Sequence, residues 1–374
     1  MYMCIKSSIL FSIVIVGISA ETIDYDYETA KNLTSDYCYI KSYNEAPAIV
    51  KKCTHIVVTG FEVPAGKTLE LNLLQHSVLL FEGTLTFGVA HWAGPFIYIT
   101  GQNIQVIGGT NHLIHGGGEK YWDGLGGSGV KKPERVFFMN AQVATVKNIN
   151  IKNCPLFCVS VLGHDLTFSG INIDNTDGFA NGLARNTDGI TFAQCKNVVL
   201  ENSKIINQDD GVNILGGCSN VYVRNVHCWG SHGLSVTSGM ATTAAKNDVY
   251  NVTFEDCSNG GSFVGIHVKT TQPCLGPGSF KQITYKNIQI SEVTRSAIEI
   301  QQDYPKNDGN SANTMKIIGV DLINVTGSVK TTSARKVRIN CGSGSCSNFK
   351  WSNVKITGST TADSCNYHPS GYSC

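Results

Sequence analysis

The chain has 374 residues, of which only 15% are charged, and its 29 basic and 28 acidic side chains nearly cancel. A typical soluble domain carries about 25% charged residues. We therefore expect neither nucleic-acid binding nor attraction to an anionic membrane, because both rely on an excess of positive charge.

The first twenty residues are typical of a secretory signal peptide. Lys6 precedes an apolar run from Ile9 to Val16, and the sequence Gly-Ile-Ser-Ala ends at Ala20. A membrane-spanning helix needs about 20 apolar residues, and this run is too short. We expect residues 1–20 to be removed and residues 21–374 to be secreted to the extracellular space. The mature chain loses only Lys6 among its charged residues, which leaves 28 basic and 28 acidic ones.

The cysteine content also indicates an oxidising compartment. Fourteen cysteines are present, and thirteen remain once Cys4 is removed with the signal. So many are unusual in a reducing cytosol. The odd number means that at least one thiol is unpaired or bonded between chains. Glycosylation sequons at Asn32, Asn251 and Asn324 are consistent with a secreted glycoprotein.

A short pattern recurs eight times along the chain. Its second and fourth positions are almost always apolar, and its sixth is Asn, Asp or Gly. The eight copies are VATVKNINIKN, DLTFSGINIDN, NVVLENSKIIN, NVYVRNVHCWG, NVTFEDCSNGG, QITYKNIQISE, TMKIIGVDLIN and NFKWSNVKITG, which begin at Val143, Asp165, Asn197, Asn220, Asn251, Gln282, Thr314 and Asn348. Alternation of this kind is typical of a strand with one buried face. Asn, Asp or Gly at a fixed place after it indicates a turn with left-handed backbone.

The spacing of the copies predicts the fold class. Their starts are 22, 32, 23, 31, 31, 32 and 34 residues apart. Coils of 22 or 23 residues with insertions suit an all-β solenoid, a parallel β-helix that runs as one domain from about residue 35 to the C-terminus. A β-sandwich does not repeat its turns in register, and propeller blades are longer, about 40 residues. Cys195 and Cys218 share one phase on neighbouring coils and could bond to each other.

The phase of the coils also groups polar residues. In the stretch NQDDGVNI, Asp209 lies twelve residues past the copy start at Asn197, and His232 lies twelve past Asn220. Residues at one phase stack at the strand spacing of about 4.8 Å. Asp188 lies one coil earlier, and Lys269 and Tyr304 lie on later coils. We therefore expect a groove that holds carboxylates, imidazole, ammonium and phenol. Each alone has an ordinary alternative: Asp-Asp-Gly as an exposed turn, His232 as a core histidine, or Lys269 as a solvated charge.

Such a group suits glycoside hydrolysis, which needs one protonated carboxyl as general acid and a second ionised one. Neighbouring carboxylates raise one pKa and so keep a proton available. For Asp209 and Asp210 to reach the same groove, the alternation of the strand must break beside Gly211, at a bulge or a strand end.

The ordered motifs resemble those of the polygalacturonases of glycoside hydrolase family 28. The motifs are NTD at 186–188, QDDG at 208–211, SHGLS at 231–235, HVKT at 267–270 and IQQDY at 300–304. The resemblance extends over nearly the whole mature chain. It implies a right-handed parallel β-helix and inverting hydrolysis of the α-1,4 linkages of pectin (homogalacturonan), with carboxyl groups about 6.5–9.5 Å apart. It also implies disulfides Cys38–Cys53, Cys341–Cys346 and Cys365–Cys374.

By the same resemblance, Asp209 is expected to be the general acid, and Asp188 and Asp210 to activate water. His232 is expected to maintain the protonation and geometry of the acid. Contacts to the substrate are expected from Asn186, His267, Lys269 and Tyr304. No metal or cofactor is implied, and we expect a monomer.

Some positions depart from the family pattern. His267 stands where the family has arginine, which leaves a donor whose charge would fall between about pH 6 and 8. Gly211 replaces a cysteine, so Cys228 lacks its expected partner. Ser231 replaces a glycine, and Thr191 replaces an aspartate. Two alternative functions therefore remain: a catalytically weak or inactive galacturonan-binding relative, and another pectin-active β-helix enzyme such as a rhamnogalacturonan hydrolase. A calcium-dependent lyase is disfavoured, because HVK offers no arginine base.

Overall fold

The structure is a computed structural model that describes residues 25–34, 36–311 and 313–374. The predicted signal peptide, residues 1–20, lies outside the described residues. No helix within the described ranges is long and apolar enough to cross a membrane.

Strands dominate the described part of the chain. They are β1 Cys38–Ile40, β2 His55–Val58, β3 Glu62–Val63, β4 Leu69–Asn72, β5 Val78–Phe81, β6 Thr84–Phe87, β7 Ile97–Gly108, β8 Leu113–His115, β9 Arg135–Lys147, β10 Asn150–Lys152, β11 Phe157–Ser169, β12 Asn172–Asp174, β13 Ile190–Ile206, β14 Val212–Leu215, β15 Ser219–Trp229, β16 Leu234–Ser238, β17 Val249–Glu255, β18 Ser258–Gly260, β19 Val264–Thr271, β20 Gly278–Val293, β21 Ser296–Tyr304, β22 Met315–Val329, β23 Arg335–Asn340, β24 Cys346–Ser347, β25 Trp351–Thr357 and β26 Ser364–Cys365.

Helices are few and short. The α-helices of the described ranges are Tyr27–Lys31, Ala46–Ile49 and Ala244–Asn247, and the 3₁₀ helices are Tyr43–Glu45, Gly118–Lys120, Gly126–Ser128 and Thr176–Phe179.

The strands pair in parallel from coil to coil around a buried core, which confirms the predicted right-handed parallel β-helix. Long strands such as β13 turn a corner, so that different parts of one strand pair with different neighbours. The sheet that carries the functional groove contains β4, the first halves of β7, β9 and β11, the start of β13, and then β14, β16, β19, β21, β23 and β26. We call it the groove sheet.

Alternation places one side of each strand in the core. In the groove sheet, buried aliphatic side chains lie directly opposite one another on successive strands. This ladder runs Val159, Ile190, Val212, Leu234, Ile266, Ile298 and Val337. Burial of apolar surface contributes roughly 25 cal/mol per Å², so each rung stabilises the stack of coils. The register also aligns the alternate, outward-facing residues that line the groove.

The predicted turns are confirmed at the sixth position of each repeat. That residue has positive φ in all eight copies, for example 54° at Asn148, 51° at Asn202 and 76° at Gly319. Asparagine and glycine adopt this left-handed region most readily, which explains their recurrence. Asparagine side chains also hydrogen-bond between coils, as from Asn251 Nδ2 to Asn220 Oδ1 at 2.9 Å. These ladders hold neighbouring coils in register.

The disulfides agree only in part with expectation. Cys38–Cys53, Cys341–Cys346 and Cys365–Cys374 are present as the resemblance implied, and Cys154–Cys158 was not foreseen. The predicted Cys195–Cys218 bond is wrong. Those two residues are adjacent and buried, but their thiols hydrogen-bond to the carbonyl oxygens of Val161 and Phe192 instead. Cys228 is a buried free thiol, as its missing partner implied.

Candidate active site

The Asp-Asp pair lies in a turn rather than in a strand. Strand β13 ends at Ile206 and β14 begins at Val212, so both aspartates are free of the strand alternation. Asn207 is fully buried and shapes this turn. Its Nδ2 donates to the carbonyl oxygens of Thr187, Asp209 and Asp210 at 2.9, 3.0 and 2.8 Å. The strand end beside Gly211 that the sequence required is therefore present.

The turns before β13 and β14 bring three carboxylates together. One oxygen from each of Asp188, Asp209 and Asp210 lies within 4.8 Å of the others. They line a cavity of about 370 Å³ on the groove sheet. Its lining residues come from seven neighbouring strands, β9 to β21, and include Phe138 at one end and Tyr304 at the other. Six strand spacings correspond to roughly 30 Å, enough for a polymer to lie along the groove.

Asp210 is the most firmly held of the three carboxylates. Lys269 Nζ bonds its two oxygens at 2.9 and 2.8 Å, Asn213 Nδ2 donates to it at 2.7 Å and Ser235 Oγ at 2.7 Å. The Asp210 and Lys269 side chains are each only 3% exposed. Burial opposes the charged ammonium, but the negative charge of Asp210 outweighs this effect and raises the pKa of Lys269. The Asp210 oxygens thus serve as hydrogen-bond acceptors for all three side chains.

Asp209 interacts with His232, as the shared coil phase predicted. His232 Nδ1 lies 3.3 Å from Asp209 Oδ1, and the backbone N–H of His232 donates to the Asp209 carbonyl at 2.7 Å. Asn186 Nδ2 donates to the other carboxylate oxygen at 3.1 Å, while Asn186 Oδ1 accepts from the Gly127 N–H. Asp209 is thus fixed from two sides.

The pKa values of Asp188, Asp209 and His232 are shifted in different directions. Burial, followed by the charges of Asp209 and Asp210, raises the pKa of Asp188 well above its ordinary value. Burial acts in the same sense on Asp209, but the hydrogen bond and charge of His232 outweigh it and lower the pKa of that carboxyl. Asp209 in turn raises the pKa of His232 despite the opposing effect of burial. Crowding therefore raises the pKa of Asp188, whereas the pKa of the expected acid, Asp209, is lowered.

The carboxylate separation differs from the expectation. Inverting glycosidases usually have carboxyl groups about 6.5–9.5 Å apart. Here the nearest oxygens of all three aspartates are within 4.8 Å. The separation therefore provides no independent support for inversion.

His267 requires a correction. Its side chain is only 3% exposed and does not line the cavity. Its Nε2 bonds the Gln301 amide nitrogen at 2.8 Å, and its ring packs edge-on against Tyr304. Burial, followed by the positive charge of Lys269, lowers the pKa of His267 well below its ordinary value. The expected contact of His267 with the substrate is therefore not seen, and burial favours the neutral imidazole.

Lys269 and Tyr304 both reach the cavity. Lys269 Nζ lies 4.6 Å from the centre of the Tyr304 ring, a cation–π contact that helps to hold the ammonium in place. Thr191, the position where the family has aspartate, also lines the cavity, and its buried hydroxyl has no hydrogen-bond partner among the described residues. Ser231 is buried and braces the His232 turn, since its Oγ accepts from the Gly233 N–H at 3.2 Å.

The motif analysis missed Asn207, Asn213 and Ser235, which position the two adjacent aspartates. Asn213 and Ser235 are paired neighbours, each the second residue of a groove-sheet strand. The same comparison of coil positions, extended past Asp209 and His232 to the outward positions of β14 and β16, would have found Asn213 and Ser235.

The three carboxylates are also a group that could ligate a metal ion. However, the buried ammonium of Lys269 already bonds both oxygens of Asp210. The chain thus supplies a cation to this cluster itself.

Comparisons with known proteins show the family of the chain. The profile of "Glycosyl hydrolases family 28" matches residues 53–374. The chain is 37% identical to a polygalacturonase of Phaedon cochleariae over 92% of this chain and 95% of the relative. It is also 37% identical to endopolygalacturonase II of Aspergillus niger, over 91% of this chain and 92% of the relative.

Solved structures are similar as well. Endopolygalacturonase I from Stereum purpureum, complexed with two galacturonates, superimposes with a TM-score of 0.80 at 29% identity, covering 88% of this chain and 96% of that one. An endo-xylogalacturonan hydrolase from Aspergillus tubingensis, at 19% identity and a TM-score of 0.74, covers 90% of this chain and 100% of that one. The latter likeness concerns the fold alone.

Proposed function

The chain belongs to the glycosyl hydrolases of family 28, and from that membership we propose that it is a polygalacturonase that cleaves α-1,4-galacturonosyl linkages of pectin. The observation that carries the proposal is the Asp188–Asp209–Asp210 cluster in the groove, with His232 on Asp209 and Lys269 on Asp210. The disulfides are consistent with an extracellular protein, and we propose that it is secreted and acts there as a monomer.

Asp209 is proposed as the general acid, with its proton supplied through His232. The raised pKa of His232 keeps a proton on the pair, although Asp209 alone has a lowered pKa. Transfer of that proton from Nδ1 to the adjacent carboxylate oxygen makes Asp209 a donor to the glycosidic oxygen. The bond between that oxygen and the anomeric carbon then breaks. The Asp209–His232 pair therefore acts as one acid, which is how coupled groups titrate.

Asp188 and Asp210 are proposed to activate the water. Asp210 is anchored by Lys269, Asn213 and Ser235, so it can orient a water molecule without moving. Asp188 takes the proton of that water as the oxygen bonds to the anomeric carbon. Lys269 and Tyr304 line the cavity and are proposed to contact the uronate at the cleavage site. Because His267 is buried behind them, we propose no direct substrate contact for it.

Hydrolysis of polygalacturonate should release reducing ends whose anomeric form reports the stereochemistry. We propose inversion from family membership, so the α-linkage should first give the β-anomer. Proton NMR during the first minutes, before mutarotation, checks this.

We also propose internal (endo) cleavage, because the carboxylates lie between the two ends of the groove. Chromatography should then show intermediate fragments before monomer.

The outcomes separate the alternatives. An initial α-anomer would show that the close carboxylates work by retention. No reducing ends from polygalacturonate, with hydrolysis of rhamnogalacturonan or with binding alone, would support the other pectin-related functions.

Activity should have a bell-shaped pH profile. Asp188 must be ionised to accept a proton, so activity falls as pH drops through its raised pKa. His232 must be protonated, so activity falls as pH rises through its raised pKa. In His232→Asn the alkaline limb should move to lower pH, because the pKa of Asp209 alone then determines where activity falls. The rate should also decrease by about 10²–10⁴. Initial rates across pH check this.

His227→Asn is the matched control, because His227 is an exposed histidine on β15 bonded to Ser258. Its profile should equal that of the wild type. An unchanged alkaline limb in His232→Asn would contradict the role of His232 as the proton reservoir.

A further inference from the structure

Arg135 lies in the same row of the groove sheet as the catalytic carboxylates. It is the first residue of β9 and pairs with Phe157, the first residue of β11. On the next strands, Val159 pairs with Ile190, and Ile190 pairs with Val212. Two residues earlier in the same register, Phe157 lies opposite Asp188, and Asp188 lies opposite Asp210. Two strand spacings, about 10 Å, therefore separate Arg135 from Asp188. A sugar unit is similar in length to one such spacing.

The guanidinium of Arg135 is held over two aromatic rings. Its central carbon lies 5.3 Å from the Phe138 ring and 5.9 Å from the Phe157 ring. All three residues line the cavity that contains Asp188 and Asp209. Phe138 is itself stacked on Tyr98, with ring centres 5.2 Å apart. The aromatic contacts fix the direction of the guanidinium within the cavity.

Most of the hydrogen-bonding capacity of Arg135 is free. Its Nη1 pairs with Glu134 at 2.8 Å, and the two side chains are 33% and 48% exposed. Within the described ranges the guanidinium makes no other hydrogen bond. An exposed pair of this kind contributes little, so a second carboxylate can replace or join Glu134.

Two arginines toward the opposite end of the groove sheet are already bound to acidic residues. There Arg338 donates to Glu299, Gln301 and Asp303, whose side chains are fully buried. Arg295 bonds Glu299 as well. These guanidinium groups are neutralised by buried carboxylates of the chain itself. Arg338 and Arg295 are therefore less available to an acidic polymer than Arg135, whose ion-pair partner Glu134 is exposed.

We propose that Arg135, Phe138 and Phe157 form a uronate-binding subsite about two sugar units from the cleavage point. Arg135 binds the carboxylate of that sugar, and the Phe138 and Phe157 rings hold the guanidinium in position. The inference rests on the proposed polygalacturonase function and adds a residue that determines preference for unesterified, charged substrate.

The test compares wild type with Arg135→Gln on polygalacturonate. Loss of one charge-assisted hydrogen bond should raise KM about tenfold, with kcat at saturating substrate within about twofold of wild type. Arg224→Gln is the matched control, because Arg224 also lies over an aromatic ring, Tyr222, and pairs with an acid, Glu201, outside the cavity. Its KM should be unchanged.

A binding measurement provides a second readout that does not require turnover. In the Asp209→Asn background, calorimetry with hexagalacturonate should show about tenfold weaker binding when Arg135→Gln is added. Unchanged KM and unchanged affinity would overturn the subsite while leaving the proposed function intact. If wild type released no reducing ends, the proposed function would fail, whereas weaker binding of hexagalacturonate would still establish the Arg135 subsite.

Discussion

Asp209→Asn is expected to lower kcat on polygalacturonate by about 10²–10⁴, because an amide cannot deliver the proton that the leaving oxygen requires. The fold should be retained, since asparagine has the same shape and the position lies in a turn at the groove. Stability near neutral pH should fall modestly, because the lowered pKa of Asp209 shows that its ionised form is favoured in the folded state by His232. Relief of its repulsion with Asp188 offsets part of this loss. Reducing-end assays and thermal unfolding measure the two effects.

Asp308→Asn is a suitable control, because Asp308 is an exposed aspartate outside the cavity. It should leave the rate unchanged. A wild-type rate in Asp209→Asn would show that another group supplies the proton, with Asp188 the first candidate because its pKa is raised.

Lys269→Met should produce the largest loss of stability. Lys269 and Asp210 are both almost fully buried, and methionine would leave the carboxylate without its counter-charge. Removing one partner of a buried ion pair costs about 3–5 kcal/mol. The free energy of unfolding from urea titration should fall by that amount. Activity should also be lost, because the Asp210 carboxylate would no longer be held in position by Lys269.

Two further variants make this result specific. Lys286→Met removes an ion pair to Glu255 in which the lysine is 44% exposed, and it should cost at most about 1 kcal/mol. Lys269→Met combined with Asp210→Asn should recover part of the lost stability, because no buried charge then remains unpaired. A similar loss for Lys286→Met and Lys269→Met would contradict the buried-pair argument.

The repeat explains why so much of the fold could be read from the sequence. Each coil reuses the same alternation and the same left-handed turn residue, so eight weak local signals point to one architecture. The phase of the repeat also placed His232 beside Asp209, which the structure shows at 3.3 Å. The predicted disulfide between Cys195 and Cys218 was wrong. Equal phase brings the two residues close together, but it does not determine whether the thiols bond to each other or donate hydrogen bonds to backbone carbonyl oxygens, as they do here.

By itself the sequence determined the solenoid, the turn that carries Asp209 and Asp210, and most of the residues that meet in the groove. These follow from periodicity and backbone preference, which are local properties. Only the tertiary structure decided that the raised carboxyl pKa belongs to Asp188, that Lys269 is bound to Asp210, and that His267 is buried outside the cavity. The physical reason is that protonation depends on burial and on distances of a few ångströms between side chains from different coils. Those quantities exist only once the coils are stacked.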